Sequence, residues 1–202
     1  MAPTRTELTR AALIDTAERM IAERGTAVSL REISAAAGQR NHSAAQYHFG
    51  SRLGLIEAVI ADRSAGIDAR RRALLADHAP DSPGTTTADL LRILIDPWLD
   101  VLQSRAAGPY LGFLAQCLDD PELEGSLLDW TAGPVAVREV SRALAARAGA
   151  ASRATAARRL AWVHAVALRT LAHEERLGTR SPVALAGVRE DLVRMLGALL
   201  AG

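Results

Sequence analysis

Gln39-Arg40-Asn41-His42-Ser43, followed by Gln46, Tyr47, His48 and Arg52, gathers amide, guanidinium, imidazole, hydroxyl and phenol groups into a stretch that holds no carboxylate. The acid-free interval is wider than the stretch, because the next carboxylate after Glu32 is Glu57. Side chains of these types donate to and accept from base edges and grip phosphates, which is what a helix entering a major groove must carry. A carboxylate among them would repel the nucleic-acid backbone. Metal chemistry fits less well: on a helix, His42 and His48 would stand about 240° apart in rotation, and no cysteine or carboxylate joins them. Catalysis finds no G-x-S-x-G elbow, Gly-rich phosphate loop, H-E-x-x-H or paired cysteines, so no catalytic residue, metal or cofactor is assigned. An ordinary solvated helix face is the remaining alternative.

The elements around this stretch favour the nucleic-acid reading. From Thr6 to Arg24, Leu13, Ile14, Ala17, Met20 and Ile21 recur at helical steps between charged residues, and Gly25 closes the helix. Ser29-Leu30-Arg31-Glu32 has the S-x-x-E form of a capping box and opens a short helix through Ala37, which Gly38 ends. Asn41 is expected to cap a third helix over His42–Phe49, and Gly50-Ser51 breaks it before a fourth begins near Arg52. Two short helices joined by a glycine turn, with a longer one in front, make a helix-turn-helix.

The run "VSLREISAAAG", the short polar helix, and "YHFGSR" followed by "LGLIEAVI" resemble the DNA-binding domain of the TetR family of bacterial transcriptional regulators. Residues 10–60 carry the resemblance; Ala37-Gly38 and Tyr47-His48-Phe49-Gly50-Ser51-Arg52 are its most specific pieces. Between Gly38 and Phe49 the chain has one residue more than the family's usual spacing, which falls in the turn as Gln39-Arg40 if Asn41 holds the cap. The resemblance then implies base contacts from His42 and Ser43. It puts Gln46 where a phosphate-binding tyrosine is common, Tyr47 and His48 at the following contact positions, and Arg52 in place of a phosphate-binding lysine. It also implies that Ser29 donates to phosphate and that Arg31 reaches a base or the backbone. Arg5 and Arg10 are either arm contacts or a solvated helix end. Phe49 is expected to plug the core.

The rest of the chain reads as helices: Leu53 to about Ala79, Ala88–Arg105 with a kink or early stop at Pro97, Pro109–Leu118, Pro121–Trp130, Pro134–Ala148, Ser152–Leu177 and Pro182–Ala201. Pro109, Pro121 and Pro134 each suit a first helical turn. The expected fold is all-α, an N-terminal three-helix helix-turn-helix domain (1–52) followed by a C-terminal helical ligand-binding and dimerisation domain (53–202). Broad apolar stripes on the last two helices suggest pairing with their copies as a four-helix bundle in a homodimer. Trp98, Leu102, Tyr110, Phe113, Cys117, Trp130, Trp162 and His164 are candidates to line a cavity for a small-molecule effector, each with simple core packing as its alternative. Arg70-Arg71-Arg72 reads as a solvated basic face.

Composition sets limits on this picture. The 202 residues carry a net charge of +1, so nucleic-acid binding must come from local charge placement. Arginine supplies all 24 basic residues, which biased codon usage explains more readily than selection for guanidinium chemistry. One cysteine allows no internal disulfide, and no apolar run reaches the roughly 18 residues that span a bilayer, so a cytoplasmic protein off the membrane is expected. The resulting expectation is a homodimeric repressor released from an inverted-repeat operator in double-stranded DNA by a small ligand. The alternative is a helical adaptor whose helix-turn-helix contacts protein.

Overall fold

The structure, a computed structural model, describes residues 3–104, 108–129 and 131–202, and ten α-helices with no strand are present among them. The chain runs α1 (Arg5–Arg24), α2 (Leu30–Ala36), α3 (Ala44–Phe49), α4 (Arg52–Asp77), α5 (Thr87–Gln103), α6 (Tyr110–Leu118), α7 (Pro121–Leu128), α8 (Val135–Ala146), α9 (Arg153–Leu177) and α10 (Pro182–Ala201). Helices α1 to α3 and the start of α4 form the helix-turn-helix unit. The remaining helices pack around α5, α6 and α9, and α6 lies against both α1 and α9. A continuous apolar core therefore runs from Leu13, Ile14 and Ile21 of α1 through Leu111 and Phe113 of α6 to Leu160 and Leu171 of α9.

Local chemistry sets most helix starts. Thr4 with Glu7, Ser29 with Glu32, and Thr86 with Asp89 each form reciprocal capping boxes, satisfying two backbone donors apiece. At the turn ends, Gly38 and Gly50 have φ of 68° and 73°, a backbone region that other residues enter only with strain. Pro121 occupies the first helical turn of α7, whereas Pro109 and Pro134 sit one position earlier, as N-caps. Pro97 does not stop its helix: α5 continues to Gln103, buried along most of its length by α4, α8 and α10. Packing on three sides outweighs the one amide donor that a proline removes.

The third helix begins later than the sequence predicts. Asn41 Oδ1 accepts from the Ser43 amide at 2.9 Å, so its side chain caps a turn over residues 41–44, and α3 starts at Ala44 without a side-chain cap. Asparagine is as well suited to that short turn as to a helix start, and here the turn wins. With six residues, α3 has few hydrogen bonds of its own. It is held from outside by Ser34, a fully buried residue of α2, whose hydroxyl donates to the Leu30 carbonyl at 2.8 Å and accepts from the Ala45 amide at 3.0 Å.

Between α1 and α4, Arg63 donates to the buried Glu18 at 2.7 Å and to Asp15 at 2.5 Å, which sets the angle at which α4 leaves the small unit. At the other end, Glu175 of α9 accepts from the Leu111 and Gly112 amides in the first turn of α6, at 3.2 and 2.7 Å. A carboxylate at a helix N-terminus is favoured both by free amides and by the helix dipole.

Replacing Ser34 by alanine strands the buried Ala45 amide. Ser34→Ala should lower the stability of the helix-turn-helix unit by about 1–3 kcal/mol, read by urea denaturation. No change in midpoint would remove the hydroxyl from its role.

Candidate functional site

Two places bring together side chains with chemistry to offer. On the helix-turn-helix, Ala44 and Ala45 turn into the core, and Phe49 is half-buried with the Arg10 guanidinium 5.4 Å from its ring centre. Inward anchoring of these residues leaves Arg40, Asn41, His42, Ser43, Gln46 and Tyr47 exposed, Tyr47 to 83%. Gln39 and His48 are half-buried beside them. The ring of Tyr47 meets His48 edge-on at 5.3 Å. The Gln39 side-chain amide is folded back onto the Ala37 carbonyl and that of Gln46 onto the Gly50 carbonyl. Ser29 and Arg31 are exposed at the front of α2, but the Ser29 hydroxyl is engaged with Glu32. Backbone and side-chain bonds from Ser29, together with Arg24 at 2.6 Å, hold the Glu32 carboxyl down at about 2, so the one acid near this surface is both charged and neutralised by its own partner.

Arg52, whose position in the motif implies a phosphate contact, is engaged with acids in this structure. Its guanidinium turns away from the acid-free surface and donates to Asp120 at 2.9 Å, Glu122 at 3.1 Å and the Thr26 carbonyl at 2.9 Å. Thr26 donates its hydroxyl to the same Asp120 oxygen at 2.8 Å. The bond from Thr26, the Glu122 amide and Arg52 all favour the charged form of Asp120 and lower its pKa. Arg52, Thr26 and Asp120 thus make a polar node joining the loop after α1, the start of α4 and the N-terminus of α7. The acids that pair with Arg52 lie far along the chain, which is why the motif alone does not show them.

The second place is a cavity of about 390 Å³ walled by α4, α5, α6, α7, α9 and the segment leading into α8. Of the side chains expected to line one, Trp98, Tyr110 and His164 do. Phe113 and Cys117 of α6 are fully buried but off the cavity wall, Leu102 is buried outside the cavity, and Trp162 points outward at 47% exposure with Arg158 against its ring. An aromatic or a cysteine reports burial but not direction, so these four belong to core or surface and not to the wall. Trp130 lies outside the described residues. Burial pushes the Cys117 thiol up to about 12, reinforced by Asp120 nearby, so it is no nucleophile at neutral pH.

The wall's main apolar contributors, Ile56, Ile60, Ile67, Leu114, Leu123 and Leu168, carried no distinguishing signal in the sequence. Arg71, read there as part of a solvated basic run, also lines the cavity: Arg70 and Arg72 face solvent, while Arg71 is 2% exposed. The three arginines occupy successive helical positions about 100° apart, so one of them had to turn inward. His164 pairs its Nε2 with the Ser141 hydroxyl at 3.0 Å, and desolvation, aided by the Arg71 charge, pulls its pKa down to about 4, leaving a neutral imidazole at pH 7.

Because the His164 pKa falls from 6.5 to about 4 on folding, the unfolded chain takes up a proton in that interval which the folded chain refuses. Stability should decline as pH drops from 6.5 toward 4. His164→Gln, which keeps a partner for Ser141, should flatten that limb of the Tm profile and leave Tm above pH 7 within a few degrees; an unchanged limb would assign it to other groups.

No protein-family model matches the chain, and no curated protein matches it. Among solved structures, a protein from Rhodococcus sp. described as a candidate TetR-family transcriptional regulator aligns with a TM-score of 0.55, covering 96% of this chain and 97% of that one at 20% identity. At that identity the likeness is one of fold: across nearly its whole length the chain has the all-α architecture of that protein.

Proposed function

We propose that the protein is a TetR-like transcriptional regulator without catalytic activity, a homodimeric repressor that leaves an inverted-repeat operator when a small molecule fills the cavity. The observation that carries this reading is the exposed surface of Arg40, Asn41, His42, Ser43 and Tyr47, free of carboxylates and fixed to a rigid scaffold by Ser34 and Phe49. Residues 1–52 would bind DNA and residues 53–202 would dimerise and bind the effector. Arg31 and Arg40 carry the phosphate contacts in this reading, since Arg52 is committed to Asp120 and Glu122.

Dimerisation is supported by apolar side chains that α9 and α10 leave outside: Trp162 and Leu177 on the first, Val183 and Met195 on the second. A two-fold pair must present its recognition helices to successive major grooves about 34 Å apart, which requires an operator with the same symmetry. Among the described residues no helix is long and apolar enough to cross a membrane.

An electrophoretic shift with the promoter beside its own gene tests the core of this reading. Arg40→Ala should weaken binding to every duplex and reduce its salt dependence, whereas His42→Ala should mainly alter sequence preference. Absence of any shift at low salt without effector would leave the helix-turn-helix as a protein-contact surface. A monomer by sedimentation at micromolar concentration would remove the dimer. Asp120→Ala, which breaks the node without touching the DNA-facing surface, should lower operator affinity by about tenfold with helicity intact by circular dichroism. Unchanged affinity would uncouple the node from the switch.

A further inference from the structure

Among the described residues, the cavity contains one buried cation and, at depth, no anion bridged to it. Arg71 of α4 is almost wholly enclosed. Its Nη2 donates to the Leu94 carbonyl at 2.9 Å, its Nε has no hydrogen-bond partner, and its guanidinium carbon lies 5.9 Å from the centre of the Trp98 ring. Asp68, one turn back on α4, lowers the cost of this charge but is itself bridged to Arg72 at 2.5 Å, so the three groups together remain positive. The carboxylates on the cavity wall, Glu57, Glu122 and Asp129, all belong to solvent-exposed residues and mark its mouth. Arg71 and Tyr110, only 4% exposed, mark its enclosed end, and the wall between is mostly aliphatic.

We infer that this cavity takes an amphipathic organic monocarboxylate, its acid group seated against Arg71 and its apolar body along Ile56, Ile60, Leu114 and Leu168. A buried charge is tolerated when paired, and the planar guanidinium matches a carboxylate with two parallel donors better than any other common anion-binding side chain. Arg71 lines the cavity with one nitrogen committed to a carbonyl and no carboxylate bridged to its guanidinium among the described residues, so an entering carboxylate completes an ion pair that the chain leaves open. Burial raises the Tyr110 pKa, which keeps the phenol protonated as a second donor. Neutral His164 adds no competing charge. A volume of about 390 Å³ lies within the usual range for small-molecule sites and accommodates a medium-length acyl chain or a small ring system. An amine would meet Arg71 as a like charge, and an alcohol would leave it unpaired.

The inference rests on reading the cavity as the effector site, yet it is tested on the protein alone, so loss of DNA binding and loss of carboxylate binding are separate results. Decanoate, decanol and decyltrimethylammonium share one chain and differ in head group. Calorimetric titration of the wild-type protein at pH 7 should show decanoate binding about tenfold or more tighter than decanol, with decyltrimethylammonium weakest. In Arg71→Met, which keeps the stem and removes the charge, decanoate should lose that advantage while decanol still binds. Should that variant fail to fold, a co-crystal structure of the wild type with decanoate decides, its carboxylate expected against the Arg71 guanidinium. Equal or tighter binding of decanol by the wild type, a carboxylate preference that survives in Arg71→Met, a carboxylate found at the mouth, or no binding of any of the three at millimolar concentration would each overturn the proposal.

Discussion

A six-residue helix cannot hold its shape in water, and the acid-free surface proposed to meet DNA is carried by one. Everything that gives α3 a fixed direction comes from its neighbours: the Ser34 hydroxyl on the Ala45 amide, the two alanines packed into the small core, and Phe49 closing its far end under Arg10. Ser34 does two jobs with one oxygen, since the same hydroxyl donates back to Leu30. Its position is thereby locked to α2, whose own start is locked by the Ser29–Glu32 capping box. Direction passes from a local sequence motif, through one buried hydroxyl, to the exposed side chains.

The same logic operates between the two parts of the chain. Burial of α6 against α1 supplies the bulk of the attachment, but apolar contact permits sliding. Arg52, Asp120 and Thr26 add directional bonds at one edge, and Asp120 also caps α7 through the Glu122 amide at 3.0 Å. Movement of α7 therefore cannot leave the start of α4 unaffected without breaking charge-assisted bonds, which are among the stronger polar contacts available.

How far the sequence reached follows from what each feature depends on. The Ser29–Glu32 capping box, the glycine turns and the helix order were legible because they are set by residues three or four positions apart. Asn41 was placed two positions off because an asparagine suits a tight turn and a helix start equally, and the choice is made by packing of Ala44 and Ala45. Arg71 was misread, and the ion pairs of Arg52 were not foreseen, for a common reason: an arginine's partners decide where it turns, and Asp120, Glu122, Leu94 and Trp98 are distant in sequence. The cavity was only partly legible, because Trp98, Tyr110 and His164 line it while Phe113 and Cys117, on one helix with Tyr110, do not. Composition identifies residues that will be buried; only the rotation and axial placement of α6 say which of them see the empty space.

That rotation also bears on how a switch of the proposed kind would work. Glu122 belongs to the Arg52 node and to the cavity mouth, and Leu123, the next residue of α7, is part of the apolar wall. Helix α4 carries Arg52 at one end and Arg71 five turns on, the first bound to α7 and the second facing the cavity. A ligand filling the cavity would therefore touch both helices that the node joins. Moving a two-state regulator from almost fully bound to almost fully released requires the ligand to prefer one state by about 5.5 kcal/mol. Apolar contact alone tends to stabilise both states alike, since an aliphatic wall can re-form around a ligand in either geometry. A single buried guanidinium is more discriminating, because its distance to an anion changes with any displacement of α4. The physical demand of switching and the position of Arg71 point in the same direction: in the proposed switch, charge placed on the helix that leads to the helix-turn-helix would make occupancy of the cavity felt outside it.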